Sequence, residues 1–194
     1  MRKRRRRQGV AVDREPLELP SAPNEVWSMD FVMDAPADGR RLKMLTIVDD
    51  FTKESIDVVV DRSIPGAYVV RALQRAVRFR SAPKAIRTDQ GPAFTGKALD
   101  QWAYENGVQL KLIQAGKPTQ NAFIDRFNGR FRDECLNEHR FTSLAHAREE
   151  IAARRRDYDE ARPHSSLGYQ TPAAFATRQR RDVSPGKPRL EIPA

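Results

Sequence analysis

The sequence predicts an α/β layered domain built on a five-stranded mixed sheet. Two observations lead there: three successive apolar runs of strand length between residues 27 and 60, then a switch after Pro65 to apolar spacings of three and four residues that alternate with short apolar runs. A chain of 194 residues with 39% hydrophobic content can bury one core, so one domain with tails is expected.

Residues 1–25 are basic and then punctuated by Pro16, Pro20 and Pro23, which reads as an arm and linker. The folded core is expected over 26–176. Trp27 to Met33 is the first strand, and Ala37-Asp38-Gly39-Arg40 turns it into the second, Leu42 to Val48. Asp49-Asp50-Phe51-Thr52 breaks the pattern before a third strand, Ser55 to Val60, giving an antiparallel meander. Pro65 and Gly66 open a helix with apolar positions Val69, Val70, Leu73, Ala76 and Val77. Lys84 to Thr88 is a short strand, Gly96 to Asn106 a helix stopped by Gly107, and Val108 to Ile113 the fifth strand.

A further helix is expected over 119–137. On a helical wheel Phe123, Ile124, Phe127, Phe131 and Cys135 share one stripe, with Asn121, Asp125, Asn128 and Arg132 on the other side. The last long helix, about Leu144 to Tyr158, places Arg154 and Arg156 outside its apolar stripe. A loop with a short helical turn at 171–175 follows, and the basic, proline-containing stretch 177–194 is expected to be disordered.

The chain carries 35 basic and 26 acidic residues, a net charge of +9, and six of the positive charges are Arg2, Lys3, Arg4, Arg5, Arg6 and Arg7. Such an arm neutralises phosphates, and its plain alternative is a solvated terminus. With Cys135 the single cysteine and only three histidines, no disulfide or zinc spacing is present. No apolar stretch reaches the ~20 residues that span a bilayer, which points to a soluble protein of a reducing cytoplasm.

Three acids stand out. Asp30 lies mid-strand, with Trp27, Met29, Phe31 and Met33 on the opposite face, and a carboxylate there is costly unless paired or metal-bound. Asp89 ends a short strand before Gln90-Gly91-Pro92, where ligand sites of open α/β sheets gather, although an Asp before Gly also forms turns. Asp125 faces away from its helix's apolar stripe, as would a solvated acid paired with Arg132. Convergent carboxylates are the natural ligands of two Mg2+ ions about 4 Å apart, the arrangement that drives phosphodiester cleavage. Asp49 and Asp50 read as turn formers, and His164 as a residue of a polar loop.

The segments Trp27-Ser28-Met29-Asp30-Phe31-Val32, Val48-Asp49-Asp50-Phe51-Thr52, Thr88-Asp89-Gln90-Gly91, Asn121-Ala122-Phe123-Ile124, Phe127-Asn128-Gly129, Arg132-Asp133-Glu134-Cys135-Leu136-Asn137 and Arg162-Pro163-His164-Ser165 resemble the integrase-like DDE transposases of the insertion sequence three family. The resemblance covers about residues 24–176. It implies a ribonuclease H-like fold, two Mg2+ or Mn2+ ions, and a reaction in which 3′-hydroxyls of element ends attack target DNA. By position it makes Asp30, Asp89 and Asp125 the metal-binding catalytic acids. The family's spacing of 35 residues between the second and third acids is kept, positions 90–124 here, but the family holds Glu where this chain holds Asp125.

Shortening that acid withdraws the carboxylate by ~1.5 Å, and misplacement on the order of 1 Å can cost ~100-fold in rate. The expectation is a transposase core whose activity the shortened acid can impair, with a DNA-binding remnant without activity as the alternative and a nuclease lacking strand transfer as a third, less favoured class. Lys117, Asn121, Asn128 and Arg132 are the expected DNA contacts, besides the basic arm. The family also implies a homo-oligomer on DNA, association with the nucleoid when bound, and a helical DNA-binding segment ahead of the basic linker. The sequence opens almost within that linker, so recognition of element ends is expected to be lacking.

Overall fold

The computed structural model describes residues 19–35, 39–113 and 121–183. Strands β1 (Val26–Asp34), β2 (Leu42–Asp49) and β3 (Ser55–Asp61) form the expected antiparallel meander, and β4 (Ala85–Thr88) and β5 (Gln109–Leu112) complete the sheet. The order is β3-β2-β1-β4-β5, with β4 parallel to both β1 and β5. β1 is therefore the strand where direction changes, antiparallel to one neighbour and parallel to the other.

Helices cover both faces, because side chains alternate along each strand. Trp27 and Met29 of β1, Leu45 and Ile47 of β2 and Ile86 of β4 pack with α1 (Gly66–Phe79) and α2 (Lys97–Glu105). Val32, Leu42, Met44 and Val60 point the other way, against Ile124, Phe127 and Phe131 of α3 (Ala122–Phe131) and Ile151 and Tyr158 of α4 (Leu144–Glu160). Phe31, stacked on Phe94 at 4.7 Å, extends the first of these cores. Asp30 has the parity of Val32, so it looks toward α3.

The helix expected to run unbroken to Asn137 instead widens into a π-helical turn at Arg132–Leu136, where the Asn137 amide donates to the Arg132 carbonyl at 2.9 Å. The extra residue in that turn buries the consecutive pair Cys135 and Leu136, which an even 100° step would separate. The expected start near Thr119 and the residue Lys117 lie outside the described residues, as do Arg2 to Arg7 and Ala37 and Asp38 of the first turn.

A second difference concerns the tail. Helix α5 (Pro172–Val183) crosses the expected boundary at 176 and is helical through the first part of the supposedly disordered stretch. Pro172 suits a first helical position and the Thr171 hydroxyl accepts from the Ala174 amide. Burial does the rest: Ala176 is inaccessible, Phe175 meets Phe51 at 5.5 Å, and the Arg180 guanidinium reaches Glu54 at 2.6 Å. Arg154, expected outside the apolar stripe, is also drawn in; its side chain is 9% exposed and pairs with Glu134 and Asp157.

Candidate active site

Parallel pairing of β1 with β4 runs Trp27 to Ile86 and Ser28 to Arg87, then stops. Carried two residues further, the same register sets Asp30 level with Asp89, on strands spaced ~4.8 Å apart where they pair. Asp30 faces α3, where Asn128 meets it, and Asp89 is the first residue after β4, at the strand ends where open α/β sheets place ligands.

Asp30 is half-buried and held at both oxygens. Oδ1 accepts from the Phe31 amide at 2.7 Å, and Oδ2 accepts from the Asn128 side-chain amide at 2.8 Å. The Asn128 carbonyl oxygen in turn accepts from the buried Thr46 hydroxyl at 2.9 Å, which also lies 3.1 Å from the Asp30 carbonyl. Asn128 is one turn beyond Asp125 on α3, so the same helix supplies an acid and fixes another.

Burial pushes the Asp30 carboxyl above the ordinary carboxylate range, and the charges of Asp89 and Asp125 push it further, against the Phe31 and Asn128 hydrogen bonds. Asp30 thus feels the charge of both other acids. Asp125 is also raised, by partial desolvation, with the Asn121 amide at 3.0 Å pulling the other way. Asp89 folds back into its turn, its Oδ1 accepting from the Gly91 amide at 2.8 Å. A Cβ on Gly91 would meet that oxygen at 2.9 Å, so glycine makes the folded-back carboxylate possible.

The donor set is all carboxylate oxygen, the chemistry that Mg2+ and Mn2+ prefer, and the Asp30 carboxyl is raised first by burial and then by the neighbouring acids, a charge cost that a cation would relieve. Chemistry and placement therefore fit a divalent metal. Orientation is less complete: among the described residues no three acidic, His or Cys side chains stand together as a ready ligand set. Asp89 and Asp125 would have to leave their local hydrogen bonds to serve together.

Of the expected DNA contacts, Asn121 holds Asp125, Asn128 holds Asp30, and Arg132 reaches the Met33 carbonyl at 3.4 Å at the rim of the sheet. Glu134 is bracketed by Arg154 and Arg162. Asp49 is a turn former as read, its Oδ1 accepting from the Phe51 and Thr52 amides, both at 2.9 Å. Asp50 is not: it is buried and ion-paired with Arg87 at 2.6 Å, with its carboxyl pushed up to about 6 by burial. His164, read as a polar-loop residue, is 7% exposed, with its ring edge-on to Tyr158 at 4.9 Å.

Two family models described as integrase core domain match residues 20–118 and 106–172. An IS407 insertion-element protein of 31.7 kDa from Burkholderia multivorans is 69% identical over 180 residues, which cover 93% of this chain and 65% of that protein. An IS476 insertion-element protein of 39.2 kDa from Xanthomonas euvesicatoria is 54% identical over 194 residues, 98% of this chain and 56% of that protein. The chain spans less than two thirds of either relative's length. The HTLV-2 integrase catalytic core domain, solved in complex with magnesium in a trimeric form, shares the fold at a TM-score of 0.65 and 16% identity, covering 80% of this chain and 98% of that one. With one of those models matching more than half of its residues, the chain belongs to the integrase core family, as a relative of insertion-sequence three transposases with a retroviral-integrase-like core.

Proposed function

We propose that this chain is the catalytic core of a transposase that cleaves DNA and joins 3′-hydroxyl ends to target DNA in a divalent-metal-dependent reaction. Asp30, Asp89 and Asp125 are its metal-binding acids. The observation that supports this most is the setting of Asp30, clamped by Asn128 and electrostatically coupled to both other acids where β1 and β4 part.

Mg2+ or Mn2+, two ions in all, would supply charge stabilisation at the phosphorus and ease deprotonation of the attacking oxygen. The chain's own part is positioning. The Phe31 amide and Asn128 keep Asp30 ionised and oriented, β4 delivers Asp89 at its end, and α3 projects Asp125 from the solvent side. In each joining step one P–O bond forms from the incoming 3′-oxygen and one breaks, with the departing 3′-oxygen taking up a proton. Element ends and target DNA are the substrates, and a homo-oligomer of soluble, cytoplasmic chains assembles on them, associated with the nucleoid when bound.

A second reading has its own support. The third acid is the short one, and it is tied to Asn121 rather than turned to Asp30, which suits a DNA-binding remnant of low activity. Incubation with an oligonucleotide duplex bearing a free 3′-hydroxyl, in Mg2+ and in Mn2+, separates the two. The enzyme reading expects slow joining, faster in Mn2+, that Asp30→Asn and Asp89→Asn abolish. Product that persists in Asp30→Asn refutes the site, and cleavage without any joined product identifies a nuclease.

A further inference from the structure

The two flanks of α3 differ. Counted from Asp125, one side carries Asn121, Asn128 and Arg132, and the other carries Arg126 and Arg130, one turn apart. On the second side lies an open concavity of about 50 Å3, closed by the turn between β2 and β3 and by the 3-10 turn Ser165–Leu167 after α4. Its polar lining is Lys53, Arg126, Arg130, His164, Ser165 and Ser166 over an apolar floor, and among the described residues no carboxylate is part of that lining.

Four features mark it as built for an anion. Among the described residues neither Arg126 nor Arg130 has an ion-pair partner. His164 is buried to 7% exposure and its ring is fixed against Tyr158, yet its Nε2 has no hydrogen-bond partner. Lys53 takes a left-handed backbone conformation at φ +62°, uncommon for a non-glycine residue, and its ammonium is held 3.6 Å from the Phe123 ring centroid. The cations also press on one another: burial lowers Lys53 to about 8, against the Asp50 and Asp49 charges behind it and with Arg126 adding to the effect, and burial lowers His164 with Arg130 and Lys53 adding theirs.

We propose that this cleft binds a phosphate of the DNA backbone, on the flank of α3 away from Asn128. Arg126 and Arg130 supply the charge, and His164 Nε2 and the Ser165 and Ser166 hydroxyls supply hydrogen bonds. The contact holds the duplex against the helix that carries Asp125. The inference rests on DNA as the substrate, but not on catalysis.

The test is duplex binding by fluorescence anisotropy across a salt series, in chelator, so that catalysis plays no part. Arg126→Ala/Arg130→Ala removes exposed side chains and leaves the fold intact. It should bind on the order of tenfold more weakly, the loss of one charge-assisted contact, with a salt slope shallower by about 0.9, one phosphate. Arg156→Ala/Arg178→Ala, the same charge removed from exposed positions elsewhere, should leave the slope unchanged. Ser166→Glu, which keeps both arginines but puts a carboxylate into the cleft, should weaken binding as the double variant does. Equal losses in the two double variants, or native affinity in Ser166→Glu, would overturn the proposal. So would a thermal shift by inorganic phosphate that Arg126→Ala/Arg130→Ala abolishes while DNA binding stays native, which assigns the cleft to a free anion. Native protein that binds no DNA refutes the substrate reading as well, whereas binding without joining refutes only the catalytic proposal.

Discussion

Asn128→Ala removes the one side chain that α3 lends to Asp30. The lost bond is charge-assisted, 2.8 Å from Nδ2 to Oδ2, and such bonds contribute about 1.5–3 kcal/mol. Two features reduce that figure. Asp30 is only half-buried, so water replaces part of the bond, and the Thr46 hydroxyl, which has one proton to give, keeps the Asp30 carbonyl at 3.1 Å as acceptor. A destabilisation of about 1–2 kcal/mol at neutral pH follows. Its pH dependence identifies the partner. The Asp30 carboxyl is raised in the fold, so its titration favours folding at acidic pH, and that contribution is lost as pH rises through the raised value. Losing Asn128 raises the carboxyl further and deepens that loss. Urea unfolding should therefore show the native-to-variant gap at its widest near neutrality and closing toward the ordinary carboxylate range near 3.8. The onset of metal-dependent joining should also move to higher pH. A gap that stays constant from neutral to acidic pH would refute the pairing of Asn128 with an ionised Asp30.

Arg87→Met removes the ion-pair partner, 2.6 Å away, of the fully enclosed Asp50 carboxylate in the sheet interior; a loss of about 3–5 kcal/mol is expected in urea unfolding. Asp159, whose carboxyl is pushed up to about 7 by burial while accepting from the Ser55 amide, should make stability fall as pH rises through that value. Asp159→Asn keeps an acceptor for Ser55 and should flatten the decline, read as urea midpoints across the same range. Deleting Arg2 to Arg7 should weaken DNA binding alike for all sequences and reduce its salt dependence, which anisotropy at several salt concentrations would register.

What the sequence makes legible is what local pattern controls. Period-two runs mark β1 to β3, alternation puts Asp30 on the face opposite Trp27 and Met29, and the helical wheel turns Asp125 away from Ile124 and Phe127. The motif spacing brings forward three acids, of which Asp30 feels the charge of the other two. The parts that escape are those set by contacts between distant segments. Nothing near Asn128 announces a partner 98 residues earlier, and Asp49 and Asp50 look alike as neighbours although one caps a turn and the other meets Arg87 across the sheet. His164 reads as polar loop because Tyr158 and the α4 packing bury it, while the π turn carries no local signal at all. α5 looked like a basic tail since its anchor, Glu54, lies 126 residues away from Arg180.

Joining of a 3′-hydroxyl DNA end by Asp125→Glu, measured beside the unaltered chain in Mg2+, bears most directly on the claim that Asp30, Asp89 and Asp125 form one metal-dependent site. Glu restores ~1.5 Å of reach without changing charge, and it does so from a position already exposed and facing away from the helix's apolar stripe. An increase on the order of 100-fold is expected in Mg2+, with a smaller gain in Mn2+, the less strict of the two in geometry. Joining no faster than that of the unaltered chain, in an assay where a full-length insertion-element transposase is active, would contradict it.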